Sequence, residues 1–402
     1  SFGPHLHLDM IESATGDYID PLPFFMEKVK DNTAPHAEGI ILFPQPGKGV
    51  VNGKQTRQTF PASPAKPITA WGLIGVGVRA YDHMDGVGNR YGVHTVILEV
   101  DGVEVFRSVV DRFAYEENRY INSWTHGQYM KSFIEPGNRL RMLHASNGNR
   151  GLVEINEERP YRFVYTLSDA LGNTSKVRFT VQGKNTEIHP VEHREKYAFK
   201  WDRTNYLQEP GLELVVPRGM LYDDVWLDYS VRADSGDVAF TYQLHNKRVP
   251  LHGACEMRIG LRRDRLEDKS KYYVAGVTAR GGKYSIGGTY EDGFMKVRIR
   301  DLGTYTVAVD TVPPEIIPLN PGQWGRTGRI TLKAKDKETG INSYRGTIDG
   351  KYALFGKPNS ISGNLVCELD PKHVKKGGRH TVEMTVTDGR GNRTTEEFHF
   401  VW

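Results

Sequence analysis

Two distant stretches of this sequence repeat each other, and the repeat constrains the fold more than any other feature. RFVYTLSDALGNTSKVRFTV (residues 162–181) and TVEMTVTDGRGNRTTEEFHFV (residues 381–401) share their spacing of apolar, Asp and Gly-Asn positions. Alternate residues of a strand lie on one face, so the apolar positions predict two core-facing strands. The Asp-x-x-Gly-Asn that follows predicts a tight turn, because Asp accepts backbone amide hydrogens and Gly adopts positive φ. The matched positions are Phe163, Tyr165, Leu167 and Asp169 in the first copy and Val382, Met384, Val386 and Asp388 in the second.

The two copies also match at their beginnings. DNTAP (31–35) precedes the first copy and DTVPP (310–314) the second, with the same spacing from Asp to Pro. Because proline blocks helix formation and stiffens a linker, both segments predict domain starts. We therefore predict two related immunoglobulin-like β-sandwiches, the first module (31–185) and the last module (310–402). The middle module (186–309) lacks the repeat and is predicted to be a separate β-sandwich.

Composition supports an all-β, soluble-type chain. Short alternating runs rich in Val, Ile, Tyr, Phe and Thr are separated by Gly, Asn and Asp, and helical periodicity is scarce, with short helices expected only at 23–29 and 370–378. The net charge of +4 gives no argument for nucleic-acid binding. The sequence contains no apolar run long enough for a membrane-spanning helix. Cys255 and Cys367 have no metal-binding or redox spacing, so two buried free thiols are the simpler interpretation and a disulfide is the alternative.

Two further features have a structural and a functional interpretation. The loops Asp82–Asn89 and Asp336–Asn342 carry several oxygen ligands. Turn chemistry explains them, and calcium, which needs six or more oxygens, is the less favoured alternative. The tryptophans would allow a carbohydrate platform, but large aromatic side chains usually lie in cores or interfaces. They are Trp71, Trp124, Trp201, Trp226, Trp324 and Trp402.

The first residues of the chain hold a candidate metal site. In SFGPHLHLDM, His5 and His7 lie two residues apart, so on a strand both imidazoles point to one face. Such a pair can place one imidazole on zinc and the other beside the metal as a proton-transfer group. The spacing alone favours two histidines on an ordinary polar strand face, because short motif matches are often accidental.

The surrounding residues resemble the end of a zinc endopeptidase domain of the M23 family, the lysostaphin and LytM type. GPHLHLD (3–9) is similar to the family's Gly-x-His-Leu-His-Phe-Glu, and DPLP (20–23) is similar to its following Asn/Asp-Pro segment. Leu8 and Asp9 stand where Phe and Glu are usual. The rest of the chain resembles the all-β tails of M23 peptidases in envelope proteins of the Bacteroidetes type. Residues 1–30 are accordingly identified as the C-terminal end of such a domain.

This resemblance implies a function and a site. His7 would be a zinc ligand and His5 the catalytic histidine, with Zn²⁺ as cofactor and peptidoglycan peptides as substrate. The location would be the bacterial cell envelope, in the periplasm or at the outer membrane, where the β-sandwiches could also contact envelope proteins.

The ligand set is incomplete in these residues. The family site needs a further His and Asp from an upstream His-x-x-x-Asp, and the only such match here is His5 with Asp9. Positions i and i+4 of one strand lie about 13 Å apart, too far to share one zinc. We therefore expect the chain to be the C-terminal part of a longer protein and to bind catalytic zinc poorly alone. The alternative is a degenerate peptidase end within a non-catalytic scaffold or accessory subunit of an outer-membrane assembly.

Overall fold

The computed structural model describes residues 8–233, 238–359 and 361–402. Strands dominate and both α-helices are four residues long, so the predicted all-β fold is confirmed. None of the helices in the described ranges is long and apolar enough to cross a membrane. Apolar side chains collect in three separate cores, at residues 40–181, 199–307 and 316–400.

A short hairpin precedes the first core. Its strands are β1 (Met10–Ile11) and β2 (Tyr18–Ile19), and a 3₁₀ turn at Leu22–Phe24 follows. The expected helix at 23–29 is therefore only a 3₁₀ turn, and 370–378 contains turns rather than a helix. Segments this short do not recover the cost of helix nucleation, and at Asp370 the side chain instead accepts the Lys372 amide in a local turn.

The first module folds one continuous sheet around its core. The elements are β3 (His36–Val51), β4 (Gln58–Pro61), β5 (Ile68–Tyr81), β6 (Thr95–Val100), β7 (Val103–Val109), β8 (Arg112–Phe113), a 3₁₀ helix (Tyr115–Tyr120), α1 (Ile121–Trp124), β9 (Thr125–His126), β10 (Tyr129–Lys131), β11 (Leu143–Ala145), β12 (Val153–Ile155), β13 (Pro160–Ser168) and β14 (Thr174–Gly183). Eleven of these strands belong to the sheet, while β8 pairs with the hairpin strand β2. The long β3 and β5 pair along most of their length, and β-bulges in β3 bend the sheet.

The middle module packs two five-stranded sheets on one core. Its elements are β15 (Tyr197–Phe199), β16 (Asn205–Glu209), β17 (Leu212–Val216), β18 (Val225–Leu227), β19 (Ser230–Arg232), β20 (Thr241–Gln243), β21 (Val249–Gly260), a 3₁₀ helix (Lys269–Lys271), β22 (Tyr272–Val277), β23 (Lys283–Gly287), β24 (Thr289–Glu291), β25 (Phe294–Leu302) and β26 (Thr304–Val309). The sheet orders are β16-β17-β21-β25-β24 and β19-β20-β26-β22-β23. Side chains from both sheets share the core, which makes this module a β-sandwich.

The last module packs a three-stranded sheet on a four-stranded sheet. Its elements are β27 (Glu315–Pro318), a 3₁₀ helix (Pro321–Gln323), α2 (Trp324–Thr327), β28 (Arg329–Lys335), β29 (Ile341–Ile348), β30 (Lys351–Ala353), β31 (Asn364–Glu368), β32 (Arg379–Asp388) and β33 (Arg393–Val401). The orders are β27-β28-β31 and β30-β29-β32-β33. A two-sheet sandwich of seven strands resembles the immunoglobulin-like architecture predicted for this region.

The repeat noticed in the sequence has the predicted structure. The repeated apolar residues of β13 and β32 are at most 1% exposed, and the hairpins β13–β14 and β32–β33 follow them. Both turns use a glycine with positive φ, 96° at Gly172 and 75° at Gly391. Cys255 and Cys367 are buried free thiols, each in a different core, so the simpler interpretation of the cysteines is confirmed.

Backbone-directed hydrogen bonds join neighbouring modules. Between the first and middle modules, the Arg119 guanidinium donates to the Leu251 carbonyl at 2.9 Å, and the Tyr222 hydroxyl donates to the Arg119 carbonyl at 2.6 Å. Between the middle and last modules, the Arg390 guanidinium donates to the carbonyls of Tyr272 and Gly288 at 2.9 and 3.1 Å. Side chains of one module thus donate hydrogen bonds to backbone carbonyls of the next, which gives each junction a defined geometry.

Candidate functional site

The predicted zinc-site residues His5 and His7 lie outside the described residues. Their roles stay predictions. The described residues that follow them, from Leu8 onward, show how the N-terminal hairpin is attached to the rest of the chain.

The N-terminal hairpin is part of a sheet with the first module. Strand β2 pairs with β8 through Tyr18 opposite Phe113 and Ile19 opposite Arg112, which forms the three-stranded sheet β1-β2-β8. The rings of Tyr18 and Phe113 stack with centroids 5.5 Å apart. Stacking of the two rings stabilises the contact beyond the burial of their apolar area. The hairpin is therefore docked on the first module by both backbone and side-chain contacts.

An ion-pair group with two buried carboxylates and a half-exposed arginine holds the same hairpin. The Arg141 guanidinium donates to the carboxylates of Asp17 at 2.8 Å and Glu117 at 2.9 Å, and these two acidic residues are only 4% and 9% exposed. The hydrogen bond from Arg141 holds the pKa of Asp17 below its ordinary value. Burial opposes the ionisation of Glu117, but hydrogen bonds from Arg141 and from the Ala114 amide outweigh it and lower its pKa. Arg141, which is also paired with Glu117 inside the first module, thus joins the hairpin to that module through Asp17.

A cleft of about 610 Å³ lies between the hairpin and the first module. Its wall is mainly apolar, and one part of it is formed by three aspartates, Asp31, Asp82 and Asp169. The apolar lining includes Met10, Tyr18, Ile19, Leu22, Val93, Val110, Phe113, Ile121, Trp124 and Met130. The cleft therefore places a group of three carboxylates beside an apolar wall.

Three separate parts of the chain bring these aspartates together. Asp31 begins the first module, Asp82 directly follows β5, and Asp169 directly follows β13. One carboxylate oxygen from each residue lies within 4.8 Å of the others. The Asn173 side-chain amide donates to the Asp31 carbonyl at 3.0 Å and to the Asp169 carboxylate at 2.7 Å. The Asp-x-x-Gly-Asn turn therefore holds the module start and the turn aspartate in place.

The last module repeats the cluster at the matching positions. Asp310, Asp336 and Asp388 also place carboxylate oxygens within 4.8 Å of one another. The Asn392 side-chain amide donates to the Asp310 carbonyl at 3.1 Å and to the Asp388 carboxylate at 2.7 Å, as Asn173 does in the first module. The duplicated sequence pattern thus produces a duplicated carboxylate cluster.

The two clusters differ in how their carboxylates are satisfied. In the last module, Oδ2 of Asp336 accepts the amides of residues 338, 339 and 340, and the Thr339 hydroxyl donates to Asp310 at 2.5 Å. In the first module, Oδ1 of Asp82 is buried and has no hydrogen-bond partner among the described residues. Burial raises the pKa of Asp82, and the charges of Asp169 and Asp31 raise it further. Turn chemistry therefore accounts for the second cluster but leaves one buried oxygen of the first cluster unexplained.

The donor atoms of both clusters decide which groups they could hold. In the described ranges, the groups of three close metal-ligating side chains contain aspartates and neither histidine nor cysteine. Oxygen donors suit hard cations such as Ca²⁺, whereas catalytic zinc sites are built largely on imidazole. These aspartates therefore do not fit the zinc site implied by the peptidase resemblance.

Sequence reasoning located part of this arrangement. The sequence shows two acidic loops, and it repeats both the Asp-x-x-Gly-Asn turns and the aspartates at the module starts. Their convergence on one point was missed. The available signal was that all three aspartates recur in both copies, at Asp31, Asp82 and Asp169 and again at Asp310, Asp336 and Asp388.

Comparisons with known proteins give limited further information. Residues 196–310 match the Zu5-like domain family, which covers the middle module but less than half of the chain. No curated protein matches the sequence.

Several solved structures are similar at low identity. A Bacteroides ovatus mixed-linkage glucan utilization protein, SGBP-B in complex with a mixed-linkage heptasaccharide, is 10% identical over 92% of this chain and 70% of its own, with a TM-score of 0.14. A fragment of a 1.5-MDa bacterial ice-binding adhesin is 10% identical over 82% of this chain and 90% of its own, with a TM-score of 0.14. The human desmocollin-1 ectodomain is 11% identical over 81% of this chain and 64% of its own, with a TM-score of 0.17. At these TM-scores the likenesses carry no argument about function.

Proposed function

We propose that this chain is the C-terminal part of a cell-envelope zinc endopeptidase similar to M23 peptidoglycan hydrolases. The sequence GPHLHLD, followed by the Asp20-Pro21 segment, is the observation that carries the proposal. In it, His7 binds zinc and His5 acts on the zinc-bound water and the substrate carbonyl. Bound zinc would supply a hydroxide nucleophile at neutral pH. Further His and Asp ligands must come from residues outside this sequence.

The β modules would position the peptidase in this proposal. The hairpin pairs with β8, and Arg141 binds Asp17 of the hairpin, so the end of the peptidase-like segment is fixed on the first module. Hydrogen bonds at the next two junctions continue the chain of contacts to the last module. Short peptides of peptidoglycan are the substrate class, and the periplasm or the outer membrane is the location that such a substrate requires.

The test is cleavage of purified peptidoglycan by the natural protein that contains this chain. The protein is loaded with zinc, its metal content is measured by elemental analysis, and released peptides are identified by mass spectrometry. We expect about one catalytic zinc per protein, peptide release, and loss of both in His7→Ala. His189→Ala changes a largely exposed histidine and serves as the matched control, with activity retained. A zinc-loaded protein that releases no peptides contradicts the proposal.

A non-catalytic scaffold is the second candidate. It is favoured by the described residues themselves, which form three β modules joined by hydrogen bonds at both junctions. Sandwich loops and edge strands commonly bind protein partners. The natural protein discriminates between the candidates, because an intact upstream His-x-x-x-Asp with bound zinc favours the enzyme and the absence of both favours the scaffold.

A further inference from the structure

We propose that Asp31, Asp82 and Asp169 bind one Ca²⁺ ion where the N-terminal hairpin joins the first module. The inference is independent of the peptidase proposal, since it concerns other residues and another kind of metal. It rests on the geometry of the three carboxylates, on the unsatisfied oxygen of Asp82, and on the comparison with the duplicated cluster in the last module.

The geometry of the cluster suits an ion of this size. Calcium binds oxygen at about 2.3–2.6 Å, so ligands on opposite sides of the ion are separated by about 5 Å or less. The three carboxylate oxygens lie within 4.8 Å of one another, which allows all three to contact one ion. Water and neighbouring oxygens facing the cleft would complete the six or more ligands that calcium takes.

The second observation is the state of Asp82. This residue is only 6% exposed, and its Oδ1 has no hydrogen-bond partner within the described ranges. A buried carboxylate is unfavourable unless it is paired or bound to a metal, and two further carboxylates beside it add repulsion. The oxygen belongs to a residue whose carboxylate takes part in the three-aspartate cluster. A bound cation would satisfy this oxygen and neutralise the repulsion together.

The duplicated cluster of the last module provides an internal comparison. There, Asp336 stands at the position of Asp82, but its carboxylate accepts three backbone amides, and Asp310 accepts the Thr339 hydroxyl. This cluster is held by the protein's own donors. The first cluster has three aspartates at the same positions, but no donor reaches Oδ1 of Asp82 within the described residues. Because only this cluster has an oxygen left for a cation to satisfy, we infer one calcium per chain and not two.

Calcium fits the first cluster better than other common ions. The ligands are oxygens from three separate loops, an arrangement that accommodates the irregular coordination of Ca²⁺. Mg²⁺ demands near-octahedral geometry and keeps several waters, while zinc prefers nitrogen and sulfur donors. A calcium ion here would link Asp31, at the start of the first module, to Asp82 at the end of β5 and to Asp169 at the end of β13. It would thereby stiffen the connection to the docked hairpin.

The experiment is calcium titration of the full 402-residue chain by isothermal calorimetry after removal of metals with a chelator. Calcium chloride alone is the probe, and thermal unfolding is followed with and without calcium. We expect one calcium per chain and a higher melting temperature with calcium. Asp82→Asn should abolish the binding heat, whereas the matched variant Asp336→Asn should retain it.

The variant also gives a readout that does not depend on binding. Because Asp82→Asn removes a buried unsatisfied charge next to two carboxylates, we expect it to melt no lower than the original chain in chelator. With calcium present, the order should reverse. The proposal is overturned if the original chain shows neither binding heat nor a melting shift with calcium. It is also overturned if Asp82→Asn binds as the original does, or if zinc binds these aspartates in preference to calcium.

Discussion

Replacement of Asn392 by alanine should destabilise the last module and leave the first unchanged. The Asn392 side-chain amide joins the two ends of this module, since it donates to the Asp388 carboxylate at 2.7 Å and to the Asp310 carbonyl at 3.1 Å. Asn392 is 8% exposed and Asp388 is 1% exposed, so water cannot readily replace the lost donor. Oδ1 of Asp388 keeps its bonds to the backbone amides of Arg390 and residue 392.

The size of the effect follows from the two bonds lost. A hydrogen bond to a charged group contributes about 1.5–3 kcal/mol and a neutral one about 0.5–1.5 kcal/mol. The expected loss in the free energy of unfolding of the last module is therefore about 2–4.5 kcal/mol. Since 1.4 kcal/mol corresponds to a factor of ten, the population of the open module should rise by about 30-fold to 1,600-fold.

Native-state hydrogen exchange read by mass spectrometry measures this effect module by module. The slowest amides of β32 and β33 report the opening of the last module, while β13 and β14 report the first. In Asn392→Ala, exchange in β32 and β33 should accelerate by the stated factor, with β13 and β14 unchanged. Asn173→Ala is the matched control, because Asn173 makes the same two bonds in the first module, and it should accelerate exchange there.

The result that would refute this reasoning is specific. If β32 and β33 exchange less than about threefold faster in Asn392→Ala, the turn amide does not hold the module ends together. Equal acceleration in both modules would show that the modules open as one unit, and the assignment of the bonds to local stability would then be wrong.

Three further predictions concern the hairpin, the cysteines and a close backbone contact. The hydrogen bond from Arg141 lowers the folded-state pKa of Asp17, so its contribution to hairpin docking is complete above the unfolded value of about 3.9 and is lost as pH falls through the folded value. The protection factors of the hairpin amides, which correct for the pH dependence of intrinsic exchange, should therefore fall below about pH 4, and protection factors that do not change with pH would contradict this. Burial raises the pKa of Cys255 and Cys367 to about 11, so neither thiol should react with iodoacetamide in the native chain at neutral pH. Both should react after denaturation, and labelling of either thiol in the native chain would refute its burial. Gly325→Ala would place Cβ 1.7 Å from a backbone carbonyl oxygen of β33, so we expect a lower melting temperature for the last module. Gly322→Ala is the control and should change the melting temperature little, because its added Cβ meets nothing within 4 Å.

Local chemistry made several elements predictable from sequence. An Asp-Gly pair between two alternating apolar runs is a sequence signal for a hairpin turn, and the structure has positive φ at both residues between β6 and β7, 51° at Asp101 and 83° at Gly102. This is the geometry that lets a two-residue turn match the twist of paired strands. Alternation of apolar residues likewise predicted the buried faces of β13 and β32. These features depend on neighbours only a few positions apart.

The site depended on contacts that no local rule contains. The sequence shows acidic loops and repeated turns, but it does not show that Asp31, Asp82 and Asp169 meet, nor that Oδ1 of Asp82 is buried without a hydrogen-bond donor. The partners of Asp17 were equally hidden, because Arg141 is far from it in the chain.

The sequence by itself therefore determined the all-β class, the duplicated strand-and-turn pattern and the resemblance of the first residues to a peptidase end. Periodicity and turn chemistry act within a few residues, so they can be read directly from the order of amino acids. Only the tertiary structure decided how β5, β13 and the module start converge, and which of two similar carboxylate clusters is satisfied. Those outcomes depend on the packing of strands that are distant in sequence. A few hydrogen-bond donors decide whether the buried carboxylates are satisfied by the protein itself or form a site suited to a cation.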